Sequence, residues 1–148
     1  MEPLGNAVHT LSYSNLLGKH VLIAGAGPIG IMAAEVAKKA GAATVSVIEL
    51  NDYRKKIVSK VGVTILDPSK DDCQAIVNEL TNGRGIDIVI EMTGSDKALE
   101  LCIDLIHNAG EMNILSVYKD EMLPVSFNKM VFKNLKVQFV TGRRIFDT

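Results

Sequence analysis

The stretch Gly25-Ala26-Gly27-Pro28-Ile29-Gly30 constrains this chain more than any other. It spells G-x-G-x-x-G between a short apolar run, Val21-Leu22-Ile23-Ala24, and a segment of helical spacing, Pro28 to Ala40. The pattern alone is weak; specificity comes from its place between a buried strand and a helix. Gly25 permits the tight turn, Gly27 allows a ligand to approach the backbone, and Gly30 lets helix and strand come close. Pro28 suits the first helical turn, where its missing N–H costs nothing. Such a helix start offers free N–H groups and the positive end of its dipole to a diphosphate. The competing reading is a tight strand–helix turn with no ligand.

The rest of the chain repeats the same alternation. Expected strands are Val21–Ala24, Thr44–Glu49, Val63–Leu66, Ile86–Ile90, Met112–Val117 and Leu135–Val140. Between them, helical spacing runs over Pro28–Ala40, Asp52–Lys60, Asp71–Leu80 and Lys97–His107, and a further helix leads the chain at Pro3–Leu11. Short apolar runs alternating with helices predict an α/β fold, a parallel sheet covered on both faces. Right-handed crossovers then favour the Rossmann doubly wound order 3-2-1-4-5-6 for six strands. The leading helix and linker, residues 1–16, stand outside that alternation, and 17–148 make up the expected Rossmann domain. The pattern also breaks off over Thr141–Thr148, as if both ends were cut from something larger.

Glu49 closes the second strand about 20 residues past the glycines, where an acid binds the hydroxyls of an adenosine ribose. Its charge repels a 2′-phosphate, so NAD is expected rather than NADP. Arg54 is the complication: it either tolerates that phosphate or lies over the adenine as a planar cation. Lys55 and Lys56 read as a solvated helix face. Ligands of open α/β sheets lie beyond the carboxyl ends of the strands, where the strand order reverses. Thr93-Gly94-Ser95 after the fourth strand should line that crevice, although Ser95 reads first as a helix N-cap. Leu115-Ser116-Val117 should end on the nicotinamide side. Asp87 and Glu91 flank an apolar strand but are not read as an acid–base pair: Asp87 belongs at the strand entrance, and Glu91 is satisfied by nearby backbone. His9, His20 and His107 are isolated in sequence, and no catalytic residue is assigned.

Three stretches together resemble the cofactor domain of the zinc-dependent medium-chain dehydrogenases. They are Glu2 through Thr10 (EPLGNAVHT), Gly25 through Met32 (GAGPIGIM) and Phe127 through Arg143 (FNKMVFKNLKVQFVTGR). The first is similar to the helix by which the family's chain leaves its catalytic domain. The last is similar to the final cofactor-domain strand and the Gly-Arg turn beyond it. The resemblance implies cofactor contacts at Ile29, Glu49, Arg54, Leu115, Ser116, Val117, Val140 and Thr141, which join Gly25, Gly27, Pro28, Gly30 and Thr93 as expected cofactor-binding residues. Ser116 departs from the glycine common at its position in the family. It also implies hydride transfer from a secondary alcohol to NAD⁺, with zinc bound only in a separate GroES-like catalytic domain. No cysteine or histidine here stands in a zinc-ligand motif, so this stretch is expected to bind the nucleotide without catalysing. A polyol-oxidising relative and a non-catalytic NAD-sensing module share much of the pattern; the leading helix counts against the sensor. A methyltransferase shares the glycine loop, but its cofactor has no diphosphate.

Charge and cysteines narrow the partners. Lys+Arg number 16 against Asp+Glu 17, a net charge of −1, which offers no footing for nucleic acid or an anionic membrane. The cysteines, Cys73 and Cys102, stand far apart, and a cytoplasmic setting is expected. The last strand, Leu135–Val140, should form a sheet edge, and edges of this kind pair with another chain, here a second copy.

Overall fold

The computed structural model describes residues 2–142. Strands β1 (His20–Ala24), β2 (Thr44–Ile48), β3 (Thr64–Leu66), β4 (Ile86–Glu91), β5 (Ile106–Ile114) and β6 (Lys136–Phe139) form one sheet. Its order is β3-β2-β1-β4-β5-β6 and every pairing is parallel, as the alternation predicts.

Alternation along β1 shows why both faces are covered. Leu22 and Ala24 point into an apolar layer with Cys73 and Val77 of α4 (Cys73–Thr81) and Leu99, Cys102 and Ile103 of α5 (Asp96–Leu105). Val21 and Ile23 point the other way, against Ala33, Ala34 and Ala37 of α2 (Pro28–Lys39) and Val58 of α3 (Asp52–Ser59). The alanines of α2 bring its backbone close to the sheet. Leu22 and Ile23 are fully buried, each contributing about 1.5–3 kcal/mol through removal from water. The leading helix α1 (Glu2–Leu11) joins the second layer through Ala7 and Leu11. The Asn113 amide of β5 ties it down by donating to the Thr10 carbonyl at 3.1 Å.

Several boundaries differ from expectation. Helix α5 stops at Leu105, not His107, because Ile106 pairs with Ile86. Lys133 Nζ meets the freed carbonyls of Ile103, Asp104 and Ile106. Strand β5 therefore starts earlier than expected and passes an irregularity before pairing Glu111 with Ile88. It ends at Ile114 rather than Val117, because Ile114 faces Glu91, the last residue of β4. Strand β2 ends one residue before Glu49, although the Glu49 N–H still donates to Leu66 O at 3.1 Å. A short helix, α6 (Phe127–Phe132), precedes β6 where none was read. Arg143, which ends the third resembling stretch, and the Thr141–Thr148 break lie partly outside the described residues. Among the described residues no helix is long and apolar enough to cross a membrane.

Candidate dinucleotide-binding cleft

The glycine loop has the geometry its sequence calls for. Gly25 sits at φ +101°, a left-handed conformation costly for any side chain. A Cβ on Gly30 would lie 1.9 Å from the Gly25 carbonyl oxygen, so no other residue fits there. A Cβ on Gly27 would meet nothing within 4 Å. Gly27 is also the N-cap of α2 and has no side chain to cap the first-turn N–H groups. The loop thus leaves an open cradle for an anion where the helix dipole is positive.

Glu49 braces this cradle from the β2 side. Its carboxylate is 8% exposed, and Oε2 accepts the Ala26 N–H at 2.9 Å. Oε1 accepts the N–H groups of Leu50 and Asn51, each at 2.9 Å. Arg54 Nη1 stands 3.9 Å from Oε2, leaving that oxygen shared between the loop and the outside. Lys55 is not on a solvated face. It pairs with the buried Asp67 and, at 2.7 Å, with Asp52. Hydrogen bonds from Lys55 and Ser69 hold the Asp67 carboxyl down at about 2 despite its burial. Lys56 is exposed, as expected.

On the β4 side lies a hub that sequence reading missed. Glu91 is fully buried at the carboxyl end of β4. Its Oε1 accepts the Thr93 N–H at 2.7 Å and the Thr93 hydroxyl. Its Oε2 accepts the hydroxyls of Ser116 and Tyr118. Backbone satisfies only part of this carboxylate; three hydroxyls satisfy the rest. Burial, then the hydrogen bond to Glu91, pushes the Tyr118 phenol up. An acid closing an otherwise apolar strand was the available signal, since burying it demands several donors.

Between the glycine loop and the carboxyl ends of β4 and β5 opens a cleft of about 250 Å³ lined by Gly27, Pro28, Ile29, Gly30, Met92, Leu115 and Ser116. Of the residues singled out from sequence, Gly25, Glu49, Arg54, Thr93, Val117, Val140 and Thr141 are outside this lining. Gly25 and Glu49 shape the loop from behind. Thr93 packs behind it too: a Cβ on Gly25 would come 3.1 Å from Thr93 Cγ2. Val117 is 90% exposed, Val140 is buried and Thr141 is exposed. Ser95 is the N-cap of α5, accepting the Ala98 N–H at 3.3 Å. Met92 was not singled out.

A larger, more polar depression of about 420 Å³ opens at the amino end of the strands, by Arg84, His107 and Lys133. Its basic side chains are already engaged: Lys133 on the carbonyls after α5, Arg84 and His107 on Asp87 at 3.1 and 2.7 Å. The His20 N–H also donates to Asp87 at 2.8 Å. Asp87 therefore organises the strand entrances, as expected, and the structure puts His107 beside it. The cleft at the opposite end, with its free helix start, is the site that suits a ligand.

A diphosphate with a ribose on either side fits the donor set present: an open helix start flanked by two carboxylate-bearing strand ends. A zinc ion does not. Among the described residues no group of three or more His, Cys, Asp or Glu is placed to hold a metal.

This fold and cleft point to the dehydrogenase class, and comparison with known proteins agrees. The family model described as zinc-binding dehydrogenase matches residues 28–147, and the chain belongs to that family. It is 44% identical over 149 residues to L-threonine 3-dehydrogenase of Bacillus velezensis, covering 99% of this chain and 43% of that protein. Among solved structures, 2R,3R-butanediol dehydrogenase of Bacillus subtilis superposes with a TM-score of 0.88 at 33% identity, over 97% of this chain and 42% of its own. A zinc-binding dehydrogenase of Sinorhizobium meliloti 1021, solved bound to NADP, superposes with a TM-score of 0.86 at 28% identity, over 97% and 44%. The chain thus spans less than half the length of the relatives it matches.

Proposed function

We propose that this chain is the NAD(H)-binding part of an L-threonine 3-dehydrogenase, which oxidises L-threonine to 2-amino-3-oxobutanoate as NAD⁺ becomes NADH. The observation that carries this reading is the open cradle at Gly27 with Glu49 bound to its Ala26 N–H. The diphosphate rests on the N–H groups at Gly27–Gly30. The adenosine ribose lies toward Glu49 and Arg54, and the nicotinamide lies over Met92, Leu115 and Ser116. Thr93, Val117, Val140 and Thr141 border the nicotinamide side. When bound, the nicotinamide supplies the hydride acceptor; this chain's residues bind it, orient it and close one wall against water.

NAD is favoured over NADP by the Glu49 charge and by Lys55, whose ammonium is engaged by Asp67 and Asp52. The threonine assignment is supported by the 44% identity to a threonine dehydrogenase. Likeness to a butanediol dehydrogenase keeps a second secondary-alcohol substrate in view. Residues 1–16 serve as the junction with a zinc-bearing GroES-like domain, and this stretch alone binds cofactor without turnover. A cytoplasmic setting accords with Cys73 and Cys102, both free thiols. Edge strand β6, with Phe139 71% exposed and Phe132 of α6 85% exposed, pairs with a second copy.

Calorimetry with NAD⁺ and NADP⁺ tests the reading. Binding of NAD⁺ is expected, weakened about tenfold in Glu49→Ala with discrimination against NADP⁺ relaxed. No heat with either nucleotide overturns it. Sedimentation showing monomer alone at high concentration removes the edge pairing, and threonine-dependent NADH formation in a longer chain bearing the GroES-like domain checks the substrate.

A further inference from the structure

Glu91 presents a problem that fold alone does not solve. It is a fully buried carboxylate, yet no ion pair to it forms among the described residues. Both oxygens are met by neutral partners, two apiece: the Thr93 N–H and hydroxyl on one, the Ser116 and Tyr118 hydroxyls on the other. A charge in such a place is expensive unless a positive partner compensates it. By contrast, Asp87, Asp67 and Glu49 each have a basic side chain within 4.0 Å.

A positive partner supplied by a ligand would have a place to sit. The residue after Glu91, Met92, lines the cleft, and so does Ser116, whose hydroxyl the carboxylate holds. A dinucleotide seated on Gly27–Gly30 with its adenosine toward β2 must run its other half across β1 to this side. In its oxidised form that half ends in a positively charged nicotinamide ring. Taking up a hydride, two electrons and a proton, removes that charge. A fixed carboxylate behind this wall of the cleft, reached through Ser116, would therefore favour the oxidised ligand over the reduced one.

We propose that Glu91 is a buried counter-charge to the oxidised nicotinamide ring, biasing this cleft toward NAD⁺ relative to NADH. The proposal rests on the cofactor reading above and adds to it a determinant of redox-state preference. Low local polarity makes the effect felt. Burial first, and then the Glu91 charge, raise the Cys102 thiol, while Tyr118 responds in the same direction. The Ser116 hydroxyl links the carboxylate to the cleft wall.

The test is the ratio of NAD⁺ to NADH affinity, measured by calorimetry on this chain. Glu91→Gln keeps the shape, because the hydroxyls of Ser116 and Tyr118 can turn and accept from its amide while Thr93 still donates. The NAD⁺ preference is expected to fall by about three- to tenfold in Glu91→Gln and to stay near wild type in Glu91→Asp. Tyr118→Phe, which keeps the charge but removes a donor, should leave the ratio unlowered. An unchanged ratio in Glu91→Gln, or an equal fall in Tyr118→Phe, overturns the proposal. Should Glu91→Gln fail to fold, Glu91→Met/Ser116→Ala/Tyr118→Phe removes the charge together with its hydroxyl partners and carries the same expectation. Wild-type chain that binds neither nucleotide refutes the cofactor reading instead, a result distinct from either.

Discussion

Strand β4 carries two buried acids, Asp87 near its start and Glu91 at its end, and they are treated in opposite ways. Asp87 is 5% exposed and surrounded by compensation: Arg84, His107 and the His20 N–H. Glu91 is more deeply buried and, among the described residues, has only hydroxyls and one N–H. The amino end of the sheet is thus electrostatically closed, its charges matched to each other. The carboxyl end is left open, with one carboxylate that forms no ion pair among the described residues, beside a free helix start. Closure serves stability; an open account of charge is what a ligand site requires.

The sharpest way to break this contrast is at the open end. Gly30→Ala drives a methyl into the Gly25 carbonyl, a contact of 1.9 Å. It should destabilise the chain by about 3 kcal/mol and abolish NAD⁺ binding, read by urea unfolding and calorimetry. A variant that folds and binds as wild type would show that the cradle is not the site.

At the closed end, Asp87→Ala leaves the His20 N–H and two basic groups without their acceptor. A loss of about 2–3 kcal/mol is expected in urea unfolding, with NAD⁺ affinity within about twofold of wild type. A fall in affinity matching the fall in stability would mean that the two ends are not independent. The same residue has a pH signature. Burial pushes the Asp87 carboxyl up, but the His20 N–H, His107 and Arg84 outweigh it and hold it below the usual carboxylate range. Because the folded value is the lower one, Asp87 stabilises the fold above the unfolded value of about 4. That contribution disappears as pH falls through the folded value. Urea midpoints measured downward from about pH 5 should decline less steeply in Asp87→Asn than in wild type.

The smallest effect concerns the irregularity in β5, also at the closed end. Ala109 sits at φ +62°, a left-handed conformation unfavourable for alanine, while its N–H donates to Lys133 O at 2.6 Å. Ala109→Gly should raise the thermal midpoint, a gain of about 0.5–1 kcal/mol. No change in cofactor affinity should accompany it.

How much of this was legible in the sequence depends on how far apart the interacting groups are. The strand order, both covered faces, the glycine turn and the Ser95 cap follow from periodicity and from contacts a few residues long. Asp87's place at the strand entrance was legible for the same reason, since strand direction fixes which end faces the crevice. The cleft itself was legible in part: the loop, Leu115 and Ser116 line it, but Met92 went unnoticed between the expected strand Ile86–Ile90 and Thr93.

What only the tertiary structure decided involves partners distant along the chain. Lys55 reads as a solvated lysine until Asp67, 12 positions on, is folded beside it. Glu91 meets Ser116 and Tyr118 across separations of 25 and 27 residues. Helix α5 ends where Lys133, on a different element, reaches its carbonyls. Sequence by itself determined the layered fold and the anion cradle, because backbone sterics and apolar periodicity act locally. The charge balance at each end of the sheet was decided by which strands and loops the fold brings together, since a buried carboxylate takes its character from whatever donors surround it in space.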